Sequence, residues 1–216
     1  MKIAVIYFTK TDVTGKLAQE VIKGICGAEP DAVILEHRID GKEIVEGRFI
    51  NPTLFESLLE CDAIIMGSPT YMGGVSAQFK AFADASSEFW SEQMWSNKVA
   101  AGFTSGSAPN GDQSSTLNYL ITLANQHGMY WVGLDLAHGY KDQGLNRFGC
   151  QLGVVSQSVD GVADEIDLLS AKYLGQRVVG LVSKLKPKKH NKRLKRDCQR
   201  VAFPVLMSRD GYGCCV

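Results

Sequence analysis

Hydroxyl side chains are concentrated near the start of the chain, in the segment YFTKTDVTGKLA (residues 7–18). Thr9, Thr11 and Thr14 follow an apolar run, and an amphipathic run follows them. A helix N-terminus presents free backbone N–H groups and the positive end of the helix dipole, so it favours an anion. Hydroxyl donors at this position would add hydrogen bonds to a phosphate group. The alternative is an ordinary helix start, capped by Asp12 or Thr14.

Two later segments share this small, polar composition. Residues 69–74 (PTYMGG) and 104–113 (TSGSAPNGDQ) are rich in Gly, Ser and Thr, and each follows an apolar run. The opening segment, residues 7–18, matches neither the GxxxxGK[ST] loop of P-loop proteins nor the GxGxxG loop of dinucleotide-binding proteins. If it binds phosphate, it does so as another kind of loop.

The elements that would position these loops alternate between strands and helices. Apolar, β-branched runs predict strands at 2–8, 32–39, 62–69, 98–106 and 129–136. Helical periodicity and capping residues predict a helix after the first loop and further helices at 51–60, 75–92, 114–126 and 165–185.

This alternation implies parallel strand pairing through right-handed crossovers. We therefore expect an α/β fold, a doubly wound five-stranded parallel sheet of order 2-1-3-4-5 with helices on both faces. Ligands of such sheets bind outside the carboxyl ends of the strands, where the strand order reverses. All three polar loops would lie at that edge.

The composition is that of a globular protein, with 216 residues, 45% hydrophobic and 21% charged. No apolar run approaches the ~20 residues of a membrane-spanning helix, and MKIAVIYF is too short for the core of a signal peptide. We expect a cytoplasmic protein. The six cysteines form no CxxC pair and no zinc-like spacing with the four histidines, so no metal site is expected.

Charge divides the chain into two parts. Residues 186–216 contain nine Lys or Arg and two Asp, a net charge of +7, so residues 1–185 carry −7. We predict a domain at 1–185 and a basic tail at 186–216. The tail is interpreted as a disordered segment, as a contact for anionic lipid or nucleic acid, or as an arm around a neighbouring subunit.

The first loop resembles the flavodoxin signature for the phosphate of FMN. The likeness rests on Val5-Ile6-Tyr7, Thr9, Thr14, Ala18 and Val21. It implies that the phosphate is bound by the loop residues Thr9, Lys10, Thr11, Asp12, Val13 and Thr14. Asp12 departs from the family, which has a small residue there, and Lys10 would partly offset its charge.

The other two loops resemble NAD(P)H-dependent FMN reductases and the WrbA-type quinone reductases. The segment GSPTYMGGVSAQFKAFAD (67–84) carries this likeness, and 103–129, which ends in HGM, is similar to the WrbA-type segment. The likeness implies that the isoalloxazine ring is lined by Pro69, Thr70, Tyr71, Met72, Gly73, Thr104, Ser105, Gly106, Ser107 and Gly111. It also implies that His127 lies near the pyrimidine edge of the ring, although a lone His before Gly is otherwise a structural residue.

The resemblance covers about 2–185 and only loosely includes 137–162, a loop that in the family covers the active site and contacts neighbouring subunits. It implies a homo-oligomeric enzyme that moves a hydride from NAD(P)H through FMN to a small quinone-like or flavin acceptor. Tyr71 and His127 would be the catalytic side chains, His127 as a proton donor. Two alternatives remain: a flavodoxin-type electron carrier whose acidic body docks on protein partners, and a flavin-free interaction protein, motivated by Asp12.

Overall fold

A computed structural model describes residues 1–109, 111–139 and 144–186. Residues Met1–Leu185 form one unit. Nearly all of the predicted basic tail lies outside the described residues, so the proposed division of the chain after residue 185 stays a prediction.

Ten strands and five α-helices make up the described fold. The strands are β1 (Lys2–Tyr7), β2 (Val33–Arg38), β3 (Ile44–Val45), β4 (Arg48–Phe49), β5 (Ala63–Tyr71), β6 (Gly74–Val75), β7 (Val99–Gly106), β8 (Tyr130–Val132), β9 (Val154–Val159) and β10 (Val162–Ala163). The helices are α1 (Val13–Ala28), α2 (Pro52–Leu59), α3 (Ala77–Ala85), α4 (Gln113–Gln126) and α5 (Glu165–Leu185).

The central sheet runs in the order β2-β1-β5-β7-β9, and all of these neighbours are parallel. This confirms the predicted doubly wound fold and its 2-1-3-4-5 order. The short strand β10 extends the sheet antiparallel to β9. Together, β3 and β4 form a separate two-stranded sheet.

The fifth strand position differs from the prediction. The strand expected at 129–136 ends at Val132, and β8 pairs only with the first half of β7. The second half of β7 pairs with β9, which lies in the segment interpreted as a loop. Apolar residues after Val132, including Leu134 and Leu136, are buried but belong to no strand. Hydrophobic runs show burial, and burial alone does not specify strand pairing.

Side chains of β1 explain why its sequence is apolar without alternation. Ile3 and Val5 pack in the cluster formed with α1 and α5, whereas Ala4 and Ile6 pack in the cluster formed with α2, α3 and α4. A strand buried on both faces has no solvent-facing positions, as is usual in parallel sheets.

Helix boundaries follow local capping signals where the sequence has them. The Asn51 side chain accepts a hydrogen bond from Leu54 N (2.9 Å) and Pro52 is the first residue of α2, as predicted. By contrast, α3 ends at Ala85, short of the predicted 75–92, and a 3₁₀ turn follows it. No helix in the described part of the chain is both long enough and apolar enough to cross a membrane.

Candidate active site

The three polar loops follow strands that end at the same edge of the sheet. In the parallel ladders, Tyr7 of β1 is level with Gly67 of β5, and Gly67 is level with Phe103 of β7. Phe8 N, just past the end of β1, donates to Gly67 O (3.1 Å). The loops therefore leave the sheet side by side, at the edge where parallel α/β sheets bind ligands.

Hydroxyl–hydroxyl hydrogen bonds join the loops to one another. Thr14, in the first turn of α1, is bonded to Ser105 of β7, with 2.9 Å between the two Oγ atoms. Thr70 Oγ1 lies 2.8 Å from both Thr104 Oγ1 and Thr116 Oγ1. Successive side chains of a strand point to opposite faces, so Thr104 and Ser105 connect the end of β7 to different neighbours.

Thr9 has the most informative side chain of the first loop. It is only 3% exposed, and its Oγ1 atom has no hydrogen-bond partner within the structure described. Burying a hydroxyl without a hydrogen-bond partner costs free energy. We therefore interpret this atom as one that would pair with a bound ligand. It lies just before the N-terminus of α1, where backbone N–H groups are free.

The other residues of this loop are arranged differently. Lys10, Thr11 and Asp12 are exposed, and Val13 is buried. Asp12 has φ of 67° and its side chain makes no capping hydrogen bond. Its carboxylate lies beside Gly15, where any Cβ would overlap it. The carboxylate therefore occupies the space that a side chain at position 15 would take and leaves the N–H groups of α1 uncapped.

Residues 70–75 form a tight hairpin. Thr70 pairs with Val75 and Tyr71 with Gly74, which leaves Met72 and Gly73 as a two-residue turn. Their φ angles are 49° and 77°, the signs that a type I′ turn requires. Met72 is fully exposed and Tyr71 is 42% exposed, while Pro69 behind them is buried. The hairpin thus presents exposed side chains on a well-defined backbone.

Two residues of the site escaped sequence reasoning. Gln113 and Thr116 are buried at the start of α4, where Gln113 bonds to the backbone of the third loop and Thr116 bonds to Thr70. Ser107 of that loop is exposed and Gly111 is half-buried. The available signal was the i, i+3 spacing of two polar residues at the beginning of a helix, which places them on one face.

The structure places His127 away from the three loops of its own chain, so its proposed role at the active site stays a prediction. His127 caps the C-terminus of α4, a helix of 14 residues and hence about 21 Å long. The next residue, Gly128, accepts a hydrogen bond from Asn97 N (3.0 Å), just before β7 begins. His127 therefore lies at the sheet edge opposite the three loops, because the helix returns antiparallel to the strand it follows.

His127 has a structural environment. It is 2% exposed, and its ring centroid lies 4.3 Å from that of Trp95. The Ser86 hydroxyl donates to Ala83 O and so accepts from His127 Nε2, at 2.9 Å. Burial lowers the pKa of His127 to about 4, so the ring is neutral at pH 7.

Comparison with known proteins decides the family. Residues 1–140 match the family model described as NADPH-dependent FMN reductase. The chain belongs to this family. It is an FMN-dependent enzyme that uses NAD(P)H.

Individual relatives of this FMN reductase family member bear two kinds of name. The chain is 41% identical over 130 residues to an NAD(P)H dehydrogenase (quinone) of Archaeoglobus fulgidus, covering 60% of this chain and 64% of that protein. It is 34% identical over 192 residues to flavodoxin FldP of Pseudomonas aeruginosa, covering 85% and 98%. The crystal structure of a WrbA-like flavodoxin from Agrobacterium tumefaciens matches with a TM-score of 0.66 at 36% identity, covering 86% and 99%.

The site residues fit the cofactor of the FMN reductase family. FMN carries a terminal phosphate, and the unpartnered Thr9 hydroxyl just before α1 can donate a hydrogen bond to a phosphate oxygen. The flat ring of FMN requires a close backbone with a few fixed polar groups, which the hairpin at Met72 and Gly73 provides.

Proposed function

We propose that this protein transfers a hydride from NAD(P)H through FMN to a small quinone-like acceptor. The observation that carries the proposal is the unpartnered, buried Thr9 hydroxyl at the N-terminus of α1, among three loops joined by hydrogen bonds. A quinone as acceptor is supported by the relative from Archaeoglobus fulgidus, which is named for it.

Each loop has a proposed role. Thr9 and the free N–H groups of α1 bind the phosphate, with Lys10, Thr11 and Thr14 around it. FMN, when bound, supplies the hydride chemistry. Residues 69–73 and 104–107, with Gly111, would hold its ring by backbone groups and exclude water from one side. Tyr71, half-exposed at the hairpin, would orient the second substrate.

The purified protein tests this proposal. We expect a yellow protein with a flavin absorption spectrum, and mass analysis of the released flavin should give FMN. NADH and NADPH oxidation should then depend on an added benzoquinone. Release of FAD would contradict the proposed phosphate site. A colourless protein that does not take up added FMN would contradict FMN binding.

A second candidate is a flavodoxin-type electron carrier. It is favoured by the relative named flavodoxin FldP, of which the chain covers 98%. The net charge of −7 on residues 1–185 also favours it. Such a protein would bind FMN and pass its electrons to a protein partner, so an added benzoquinone would not stimulate its NAD(P)H oxidation. The steady-state assay therefore separates the two candidates while FMN release does not.

A further inference from the structure

Gln113 organises the third loop through one buried side chain. Its Oε1 atom accepts a hydrogen bond from Gly111 N at 2.6 Å, and its Nε2 atom donates to Ala108 O at 2.7 Å. The side chain is 3% exposed. Both ends of one amide are thus paired with the backbone of the loop that precedes its own helix.

Gly106 provides the space for this amide. A Cβ on Gly106 would lie 2.6 Å from Gln113 Nε2 and 3.2 Å from its Cδ. The atoms nearest to such a Cβ all belong to the Gln113 side chain. Gly106 has no positive φ, so the backbone does not require glycine there, whereas the packed glutamine does.

We propose that Gln113 is a positioning residue that holds the third loop in its FMN-binding conformation before FMN arrives. This inference rests on the proposed function of the loop. Gln113 bonds to Ala108, which follows the proposed ring-lining residue Ser107, and to Gly111, which is itself proposed to line the ring. A loop ordered in advance loses less conformational entropy on binding, so the side chain increases FMN affinity without touching the reaction.

The test compares three variants with the wild type: Gln113→Ala, Gly106→Ala and the double variant. FMN dissociation constants are measured by flavin fluorescence on the apoprotein, with a thermal melt of each apoprotein. Gln126→Ala is the matched control, because Gln126 is an exposed glutamine at the other end of the same helix.

Gln113→Ala should raise the FMN dissociation constant roughly tenfold to a hundredfold, the equivalent of two lost hydrogen bonds. With FMN at saturation, its kcat should return to near the wild-type value, because the residue acts on binding alone. Gly106→Ala should raise the dissociation constant similarly, by displacing the amide. It should have little further effect in the Gln113→Ala background, where the space is already free.

Several results would overturn the inference. An unchanged dissociation constant in Gln113→Ala would do so, as would a loss of kcat that excess FMN does not restore. An equal effect of Gly106→Ala in both backgrounds would show that position 106 acts without Gln113. If Gln113→Ala does not fold, Gly106→Ala decides the question. A folded Gly106→Ala with wild-type FMN affinity would then make the role of Gln113 purely structural. Wild-type protein that binds no FMN would instead contradict the proposed function.

Discussion

Thr14 and Ser105 are 91 positions apart in the sequence, and their buried hydroxyl oxygens lie 2.9 Å apart. The bond joins the first turn of α1 to the end of β7. Because each hydroxyl is the other's partner, removing one leaves a buried polar group unpaired, which costs about 1–3 kcal/mol. The two loops that would bind opposite ends of FMN are therefore coupled before any ligand is present.

We predict that Thr14→Val and Ser105→Ala each destabilise the apoprotein by about 1–3 kcal/mol, while the double variant loses much less than their sum. The measurement is urea unfolding of the four proteins in a double-mutant cycle. Strictly additive losses would show that the hydroxyls do not interact in solution.

Thr9→Val should have opposite effects on stability and binding. Removing a buried hydroxyl that has no partner should leave the apoprotein as stable or more stable, by up to about 1 kcal/mol. The same change should weaken FMN binding by roughly 1.5–3 kcal/mol, the value of a hydrogen bond to a charged group. Thr9→Ser, which keeps the hydroxyl, is the control. If Thr9→Val binds FMN as tightly as the wild type does, Thr9 does not contact the phosphate.

Asp12→Asn should tighten FMN binding, by about 1 kcal/mol at low ionic strength. The change removes a negative charge near the proposed phosphate position, and Asn tolerates the positive φ of this residue. The gain should shrink as salt is added, because exposed charges are screened. Asp31→Asn, at an exposed position beyond the other end of α1, should have no such effect. A tightening that does not depend on salt would argue against a charge effect.

Gly73 and Gly74 should respond differently to a side chain. Gly73 has φ of 77°, whereas Gly74 has no positive φ and open space around it. Gly73→Ala should therefore destabilise the hairpin by about 1–2 kcal/mol, and Gly74→Ala should be nearly neutral for stability. Thermal melts check this difference.

Gly73→Val, if folded and loaded with flavin, should lose NAD(P)H turnover. Full turnover would mean that the hairpin only ends a strand.

Protonation of His127 should destabilise the fold in acid. Burial lowers its pKa to about 4 from an unfolded value of 6.5, so the unfolded chain takes up the proton first. The contribution is complete above about pH 6.5 and is lost as the pH falls towards 4, up to about 3 kcal/mol. Urea unfolding at pH 7 and at about pH 4.5 measures it. His127→Gln should show a smaller decrease, and an equal decrease would assign the acid sensitivity to other groups.

The sequence by itself was enough to predict the sheet order and the sheet edge at which the candidate site is expected. Local signals indicate the elements, as in the continuous apolar run Ile3–Ile6 and the Asn51–Pro52 helix start, and general rules for parallel connections constrain the topology. Because β1, β5 and β7 are parallel, the loops after them share one edge, and the order 2-1-3-4-5 makes these loops neighbours. The family resemblance in residues 67–84 then supplied the cofactor.

Tertiary structure alone decided which side chains meet. The Thr14–Ser105 bond, the split of the fifth strand between β8 and β9, and the burial of Gln113 against Ala108 and Gly111 depend on packing that local patterns do not encode. His127 shows the same limit, because a helix of 14 residues carries its C-terminal residue to the far edge of the sheet. Periodicity reports which face of an element is buried, whereas contacts depend on the distance and direction between elements in space.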